Sequence, residues 1–223
     1  MRLYDFAPTI FEQISSRKGI KKAIKRGEIL VNGQTSFDGY WLKPNDIIEL
    51  VNLELSQPKP YRYKLDVVFE DDDLAIINKP AGISTSGNFY KTIQNVVVDK
   101  LKPSVKHDAL KWPRPIHRLD NQTSGLLIIA KTIMASQNLG KKFEEKKIIK
   151  TYHAIVIGTP ETKGKISTYI LEKEAITEYK VLSTFNSIKN ETLSLLELHP
   201  KTGRTHQLRI HLSELGFPIL GDK

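Results

Sequence analysis

The sequence predicts an α+β protein in which a small N-terminal α/β module, residues 1–55, precedes a larger domain, residues 65–223, built around a mixed, largely antiparallel central sheet. Three observations carry that expectation. Apolar residues recur at helical spacing ahead of Gly27. Beyond them, short apolar runs separated by acidic or Asn-Gly turns recur in pairs, the pattern of hairpins. Between the two lies Ser56 to Lys64, SQPKPYRYK, with two prolines, two tyrosines and no apolar periodicity, which reads as a connector over 56–64. An extended arm packed on one domain is the alternative for that stretch.

In the N-terminal module, Phe6, Ile10, Phe11 and Ile14 give a first helical stripe. A second helix is predicted from Ser16 to Arg26, after a serine pair suited to capping, with Ile20, Ala23 and Ile24 facing inward. Lys18, Lys21, Lys22 and Lys25 then fall at i, i+3, i+4 and i+7 on one exposed face, flanked by Arg17 and Arg26. Gly27 ends the helix, Glu28 to Val31 is a strand, Asn32-Gly33 is a hairpin turn, and Leu42 to Leu50 supplies a turn and a closing strand. A charge run alone is an ordinary solvated face. The order SRKGIKKAIKRGEILVNGQ, however, resembles the S-four-type RNA-binding domain, which implies that these six cations meet RNA phosphates.

The larger domain opens with Leu65 to Phe69 and Leu74 to Asn78, a hairpin around an acidic turn. Asp71, Asp72 and Asp73 are adjacent and unable to converge on one ion, so a solvated turn is expected there rather than a metal site. A turn, Lys79-Pro80-Ala81-Gly82, comes next. Thr92 to Leu101 reads as a helix and Lys102 to Pro115 as a loop carrying His107, Trp112 and Arg114. Downstream, Ile133 to Lys147 reads as a helix, Ile149 to Gly158 as a strand, and Glu178 to Leu182 with Leu193 to Leu198 as a strand pair. In the last helix Thr205 is a candidate cap, Leu208, Leu212 and Leu215 form the inward stripe, and Gly216 and Pro218 terminate it.

At 223 residues the chain can bury roughly 70% of its unfolded surface. Lys and Arg number 34 against 25 Asp and Glu, a formal charge of +9 that favours a polyanionic partner. The absence of cysteine excludes disulfides and thiolate metal sites. MRLYDFAPTI has no apolar signal core and no apolar run is long enough to span a bilayer, so a soluble, cytoplasmic monomer without a membrane partner is expected.

One stretch organises the rest. In PIHRLDNQTSGLLIIAK, an extended run from Ile116 to Asp120 passes through a polar turn into an apolar strand, Leu126 to Ala130. Alternation puts Arg118 and Asp120 on one face, His117 and Leu119 on the other. By itself an Asp there closes a turn. But HRLDxxTSGLLxxAK resembles the catalytic segment of the RluA-type RNA pseudouridine synthases, and KPAG recurs in the same family. That resemblance implies the pseudouridine synthase fold and makes Asp120 the catalytic carboxylate. KTYHAIVIG resembles the family's second motif, which lays Tyr152 against the target base. HPKTGRTHQLRIHLSELGFPILGD resembles the third, in which Arg209 pairs with the acid.

The implied reaction breaks the bond from ribose carbon 1 to uracil nitrogen 1, rotates the base and rejoins it through carbon 5. It needs no redox change and no cofactor. Attack on the sugar, attack on the base and elimination to a glycal each need a single carboxylate, which an Arg partner would keep ionised. A stacked base hides its sugar edge, so the nucleotide must be flipped out, and Arg118 beside Asp120 is the candidate to fill the vacated stack. Rival readings fail on spacing. His206 and His211 are five apart rather than i, i+4, and His117, Asp120 and Ser124 lack a G-x-S-x-G elbow. A non-catalytic RNA-binding or ribosome-assembly factor, and a hydrolase using Asp120, are the alternatives. Family members continue past ILGD into another tyrosine and core strand, whereas this sequence stops at Lys223, so an unpaired sheet edge is expected.

Overall fold

The computed structural model describes residues 1–11, 14, 16–25, 27–51, 59–87, 89–188 and 191–222, which fall in two compact units, Met1–Gln137 and Asn138–Lys223. Ser15 of the expected capping pair, Arg26, and residues 56–58 of the expected connector lie outside the described residues.

The first unit begins with α1 (Leu3–Ile10) and α2 (Arg17–Lys25). On α1 the buried residues are Leu3 and Ala7, one turn apart, while Ile10 is 44% exposed. This corrects the expected stripe, and the reason is local. The helix stops at Ile10 and Phe11 is extended, so Phe11 and Ile14 pack against the same core from beyond the end of α1. On α2 the inward residues are those expected, Ile20, Ala23 and Ile24, and Ser16 Oγ accepts from Gly19 N at 3.1 Å. Glycine is needed within that helix because a Cβ at Gly19 would lie 2.7 Å from Ile14 Cγ2. Strands β1 (Ile29–Val31), β2 (Gln34–Thr35) and β3 (Ile48–Leu50) close the module in the order β2-β1-β3. Asn32 (φ 53°) and Gly33 (φ 76°) make the predicted two-residue turn.

After residue 59 the chain packs as an arm on the next helix. Tyr61 N donates to Asn95 O (3.1 Å), Tyr90 Oη donates to Pro60 O (2.9 Å), and the Tyr61 and Tyr90 rings meet edge-on at 5.3 Å. The strands and helices that follow are β4 (Asp66–Glu70), β5 (Leu74–Lys79), α3 (Ile93–Lys100), β6 (Ala109–Pro115), β7 (Gly125–Thr132) and α4 (Ile133–Glu144). The four strands form an antiparallel sheet in the order β4-β5-β7-β6. The acidic turn is structural: Asp71 accepts from Asp73 N and Leu74 N, both at 2.8 Å, and Asp73 pairs with Lys106 at 2.6 Å.

Strand β6 corrects the expected loop over 102–115. Two prolines in ALKWPRP speak against a strand, but β6 is an edge strand with an irregular register against β7, where prolines are tolerated.

The second unit holds β8 (Tyr152–Ile157), β9 (Lys163–Ile170), β10 (Lys173–Ser187), β11 (Glu191–Pro200) and α5 (Gln207–Glu214), with the antiparallel order β8-β11-β10-β9. Strand β9 was not legible. No element was expected over its residues, and Gly164 there makes room for the Tyr179 ring, which lies 2.6 Å from where a Cβ would be. On α5 the buried side chains are Gln207, His211 and Leu212, and Leu215 is 38% exposed. The expected leucine stripe holds at Leu208 and Leu212, which pack into the core of this unit, whereas Leu215 is the C-cap and the remaining inner positions go to Gln207 and His211. Thr205 does not cap this helix: its N-cap is His206, in the left-handed region at φ 54°.

The predicted α+β class and antiparallel character hold. Among the described residues the strands of the larger domain divide into two four-stranded sheets, and parallel pairing is confined to the isolated bridge Ser84–Thr92. No helix of the described residues is long and apolar enough to cross a membrane.

Candidate active site

Asp120 sits on the loop between β6 and β7, and that loop is fixed from below. Alternation along β5 puts Ala75, Ile77 and Lys79 on one inward face, and all three are fully buried. A buried ammonium needs partners. Lys79 Nζ donates to Ile83 O (2.7 Å), Pro80 O (2.8 Å) and Asn121 O (3.2 Å), so it ties the turn after β5 to the residue following Asp120. Burial pushes this ammonium below its usual range, and the Asp120 carboxylate beside it pulls it back up.

Further contacts complete the shelf. Gly82 N also donates to Asn121 O (2.8 Å), and Asn121 Nδ2 donates to Ser84 Oγ (3.0 Å). The Thr85 hydroxyl donates to Leu119 O (2.9 Å) and accepts from Leu119 N (3.1 Å), standing in for a strand partner. On the other side, Ile128 N donates to His117 Nε2 (3.2 Å), so that nitrogen carries a lone pair, and Ile116 N donates to Ile128 O (3.0 Å). Leu119 is buried, Arg118 is exposed and Asp120 is half-buried, which matches the predicted alternation. The main chain around Asp120 is thus anchored before and after the acid, the arrangement that presets a reacting group.

In the second unit, Tyr152, Ala154 and Val156 share the inner face of β8 and pack with Leu196, Leu198, Leu208 and Leu212. Tyr152 stands at the margin of this core, half-buried. Helix α5 is locked to it by a buried polar network. Gln207 Oε1 accepts from Thr202 Oγ1 (2.7 Å) and Arg204 N (3.0 Å), and its amide donates to Ile176 O and Thr177 Oγ1, both at 3.0 Å. His211 Nδ1 lies 2.9 Å from Thr177 Oγ1, and burial holds this imidazole below its usual pKa range. The helix so fixed carries Arg209, whose guanidinium makes a forked pair with Asp222: Nε lies 2.8 Å from each carboxylate oxygen and Nη2 lies 2.7 Å from Oδ1.

The expected RNA-binding cations of α2 differ among themselves. Lys18, Lys22 and Lys25 are exposed. Arg17 pairs with Asp5 at 2.9 Å, and the Lys21 ammonium lies 4.2 Å from the Tyr4 ring centroid, so both also brace α1. The structure therefore places Asp120 with Arg118 on one loop, Tyr152 with the Arg209 helix around one core, and the exposed lysines on α2.

Sequence reading missed Lys79, Thr85, Thr202 and Gln207 as positioning residues. For Lys79 a signal existed, a lysine in phase with Ala75 and Ile77 on an apolar strand. For Thr85 none did, because its partner Leu119 is 34 residues away, and although Thr202 and Gln207 bond each other five residues apart, their anchors on Ile176 and Thr177 lie 26 and 30 residues away.

Residues 73–214 match the profile of the family described as RNA pseudouridylate synthase. A protein of Rickettsia conorii named ribosomal large subunit pseudouridine synthase C is 36% identical over 235 residues, spanning 91% of this chain and 75% of that protein. An RNA pseudouridine synthase of Aquifex aeolicus is 32% identical over 234 residues, spanning 93% of this chain and 72% of its own length. Among solved structures, human RNA pseudouridylate synthase domain containing 1 superposes with a TM-score of 0.59 at 26% identity, covering 76% of this chain and 71% of that one.

Proposed function

We propose, from the premise that this chain belongs to the RNA pseudouridylate synthase family, whose members are isomerases, that it converts specific uridines of structured RNA to pseudouridine with Asp120 as its catalytic carboxylate. The observation that carries this reading is the shelf: Lys79, Ser84 and Thr85 hold the loop on both sides of one acid. The carboxylate assists cleavage of the bond between ribose carbon 1 and nitrogen 1. The base then turns, carbon 5 bonds to carbon 1 of the ribose, the carbon 5 proton leaves and nitrogen 1 gains one. In this reading Tyr152 lies against the base, Arg209 pairs with Asp120 in addition to Asp222, and Arg118 fills the stack left by the flipped nucleotide, whose extrusion costs a few kcal/mol. Residues 65–223 form the catalytic domain.

Residues 1–55 act in this reading as an S-four-type RNA-binding domain, with Arg17, Lys18, Lys21, Lys22, Lys25 and Arg26 directed to phosphates. Relatives named for the large ribosomal subunit support ribosomal RNA as the substrate class, ahead of transfer RNA. The test is pseudouridine-specific chemical mapping of RNA from cells lacking the gene, complemented with wild type or Asp120→Ala. One or more sites should vanish and return only with wild type. Equal rescue by both proteins would turn the reading to a non-catalytic RNA-binding factor.

A further inference from the structure

We propose that the N-terminal module holds a pocket for one unpaired RNA base, in a groove walled by the last turn of α2 and the segment after β2. The inference rests on RNA being the substrate. The groove, about 560 Å³, is lined by Ile24, Lys25, Gly27, Thr35, Ser36 and Phe37, with Asp38 at its edge. That volume is in the range of small-ligand sites.

Three features specify the occupant. Phe37 is 65% exposed and, among the described residues, meets the Tyr40 ring edge-on at 6.0 Å between centroids, which leaves ring surface for stacking. The Asp38 carboxylate accepts only, which suits the N–H groups of a base and repels a phosphate. Lys25 supplies the cation for that phosphate, and it ends the exposed track Lys18, Lys22, Lys25, which runs roughly 10 Å along α2 at 1.5 Å per residue.

A backbone held along the lysines thus delivers a base to Phe37, its edge toward Asp38. A base in a duplex keeps its faces stacked and its edge paired, so the groove selects a loop or a bulge. The charged helix alone would carry no such preference.

The test measures binding of a fluorescein-labelled oligouridylate to the full chain by anisotropy, against a strand of abasic ribose phosphates and a hairpin without unpaired bases. Phe37→Ala should weaken oligouridylate binding roughly thirtyfold, taking the middle of the range for stacking on an aromatic side chain. Phe37→Trp should restore it and Phe37→Leu should not, since leucine keeps apolar cover without a ring. Lys25→Ala should reduce the salt slope by about 0.7, one single-strand phosphate. The groove is refuted if Phe37→Ala or Phe37→Leu binds like wild type, or if the abasic strand binds as tightly as oligouridylate. Pseudouridine formed by a chain whose binding ignores Phe37 sinks only the groove. Binding that needs Phe37 without any pseudouridine sinks only the enzyme.

Discussion

Lys79 and Lys22 are lysines of the same compact unit put to opposite uses. Lys79 is wholly buried and spends its three donors on main-chain carbonyls around the Asp120 loop, whereas Lys22 is exposed on α2. The first sets a position and the second sets a potential. A buried charge is costly unless satisfied, so its partners must be placed to fractions of an ångström, and that placement is passed to the neighbouring acid. An exposed charge acts through water and salt, adding affinity without fixing geometry. If the chain acts on RNA as proposed, the two lysines serve separate demands, a preset reacting group and an adjustable hold on the polyanion.

Lys79→Met tests the contrast most severely. It removes the donor from three carbonyls and should destabilise the unit by about 3 kcal/mol, with kcat falling more than KM as the Asp120 loop loosens. Urea denaturation and steady-state kinetics read the two effects, and wild-type values in both would break the comparison. Thr85→Val is milder. It keeps the shape but leaves Leu119 N and Leu119 O without their hydroxyl partner, at a cost of about 1–2 kcal/mol in the same denaturation experiment. Smallest in stability is Lys22→Ala, which should stay within about 0.5 kcal/mol of wild type. Its signature is instead a drop of about 0.7 to 0.9 in the slope of log affinity against log salt. A stability loss matching that of Thr85→Val would show that α2 is structural rather than a surface for RNA.

Much of the fold was legible because it is local. Helix α2 follows from the spacing of Ile20, Ala23 and Ile24, the β1-β2 hairpin from the positive φ that Asn32-Gly33 tolerates, and the start of α3 from Thr92, whose side chain accepts from Asn95 N. The acid, its loop and the alternation of Arg118, Leu119 and Asp120 were legible for the same reason. What failed was long-range or rule-breaking. Strand β6 contains Pro113 and Pro115 and exists only because β7 offers it an edge, while Leu215 lost its inward place because α5 buries Gln207 and His211 instead.

By itself the sequence determined the periodic helices, the turns that need positive φ, the basic face of α2 and the candidate acid at a strand end, since each depends on residues within a few positions of one another. Only the tertiary structure decided that Lys79 would anchor the Asp120 loop from 42 residues away and that Arg209 would meet Asp222. Those contacts require chain segments whose approach is set by the sheets, and no local preference encodes the closure of so long a loop.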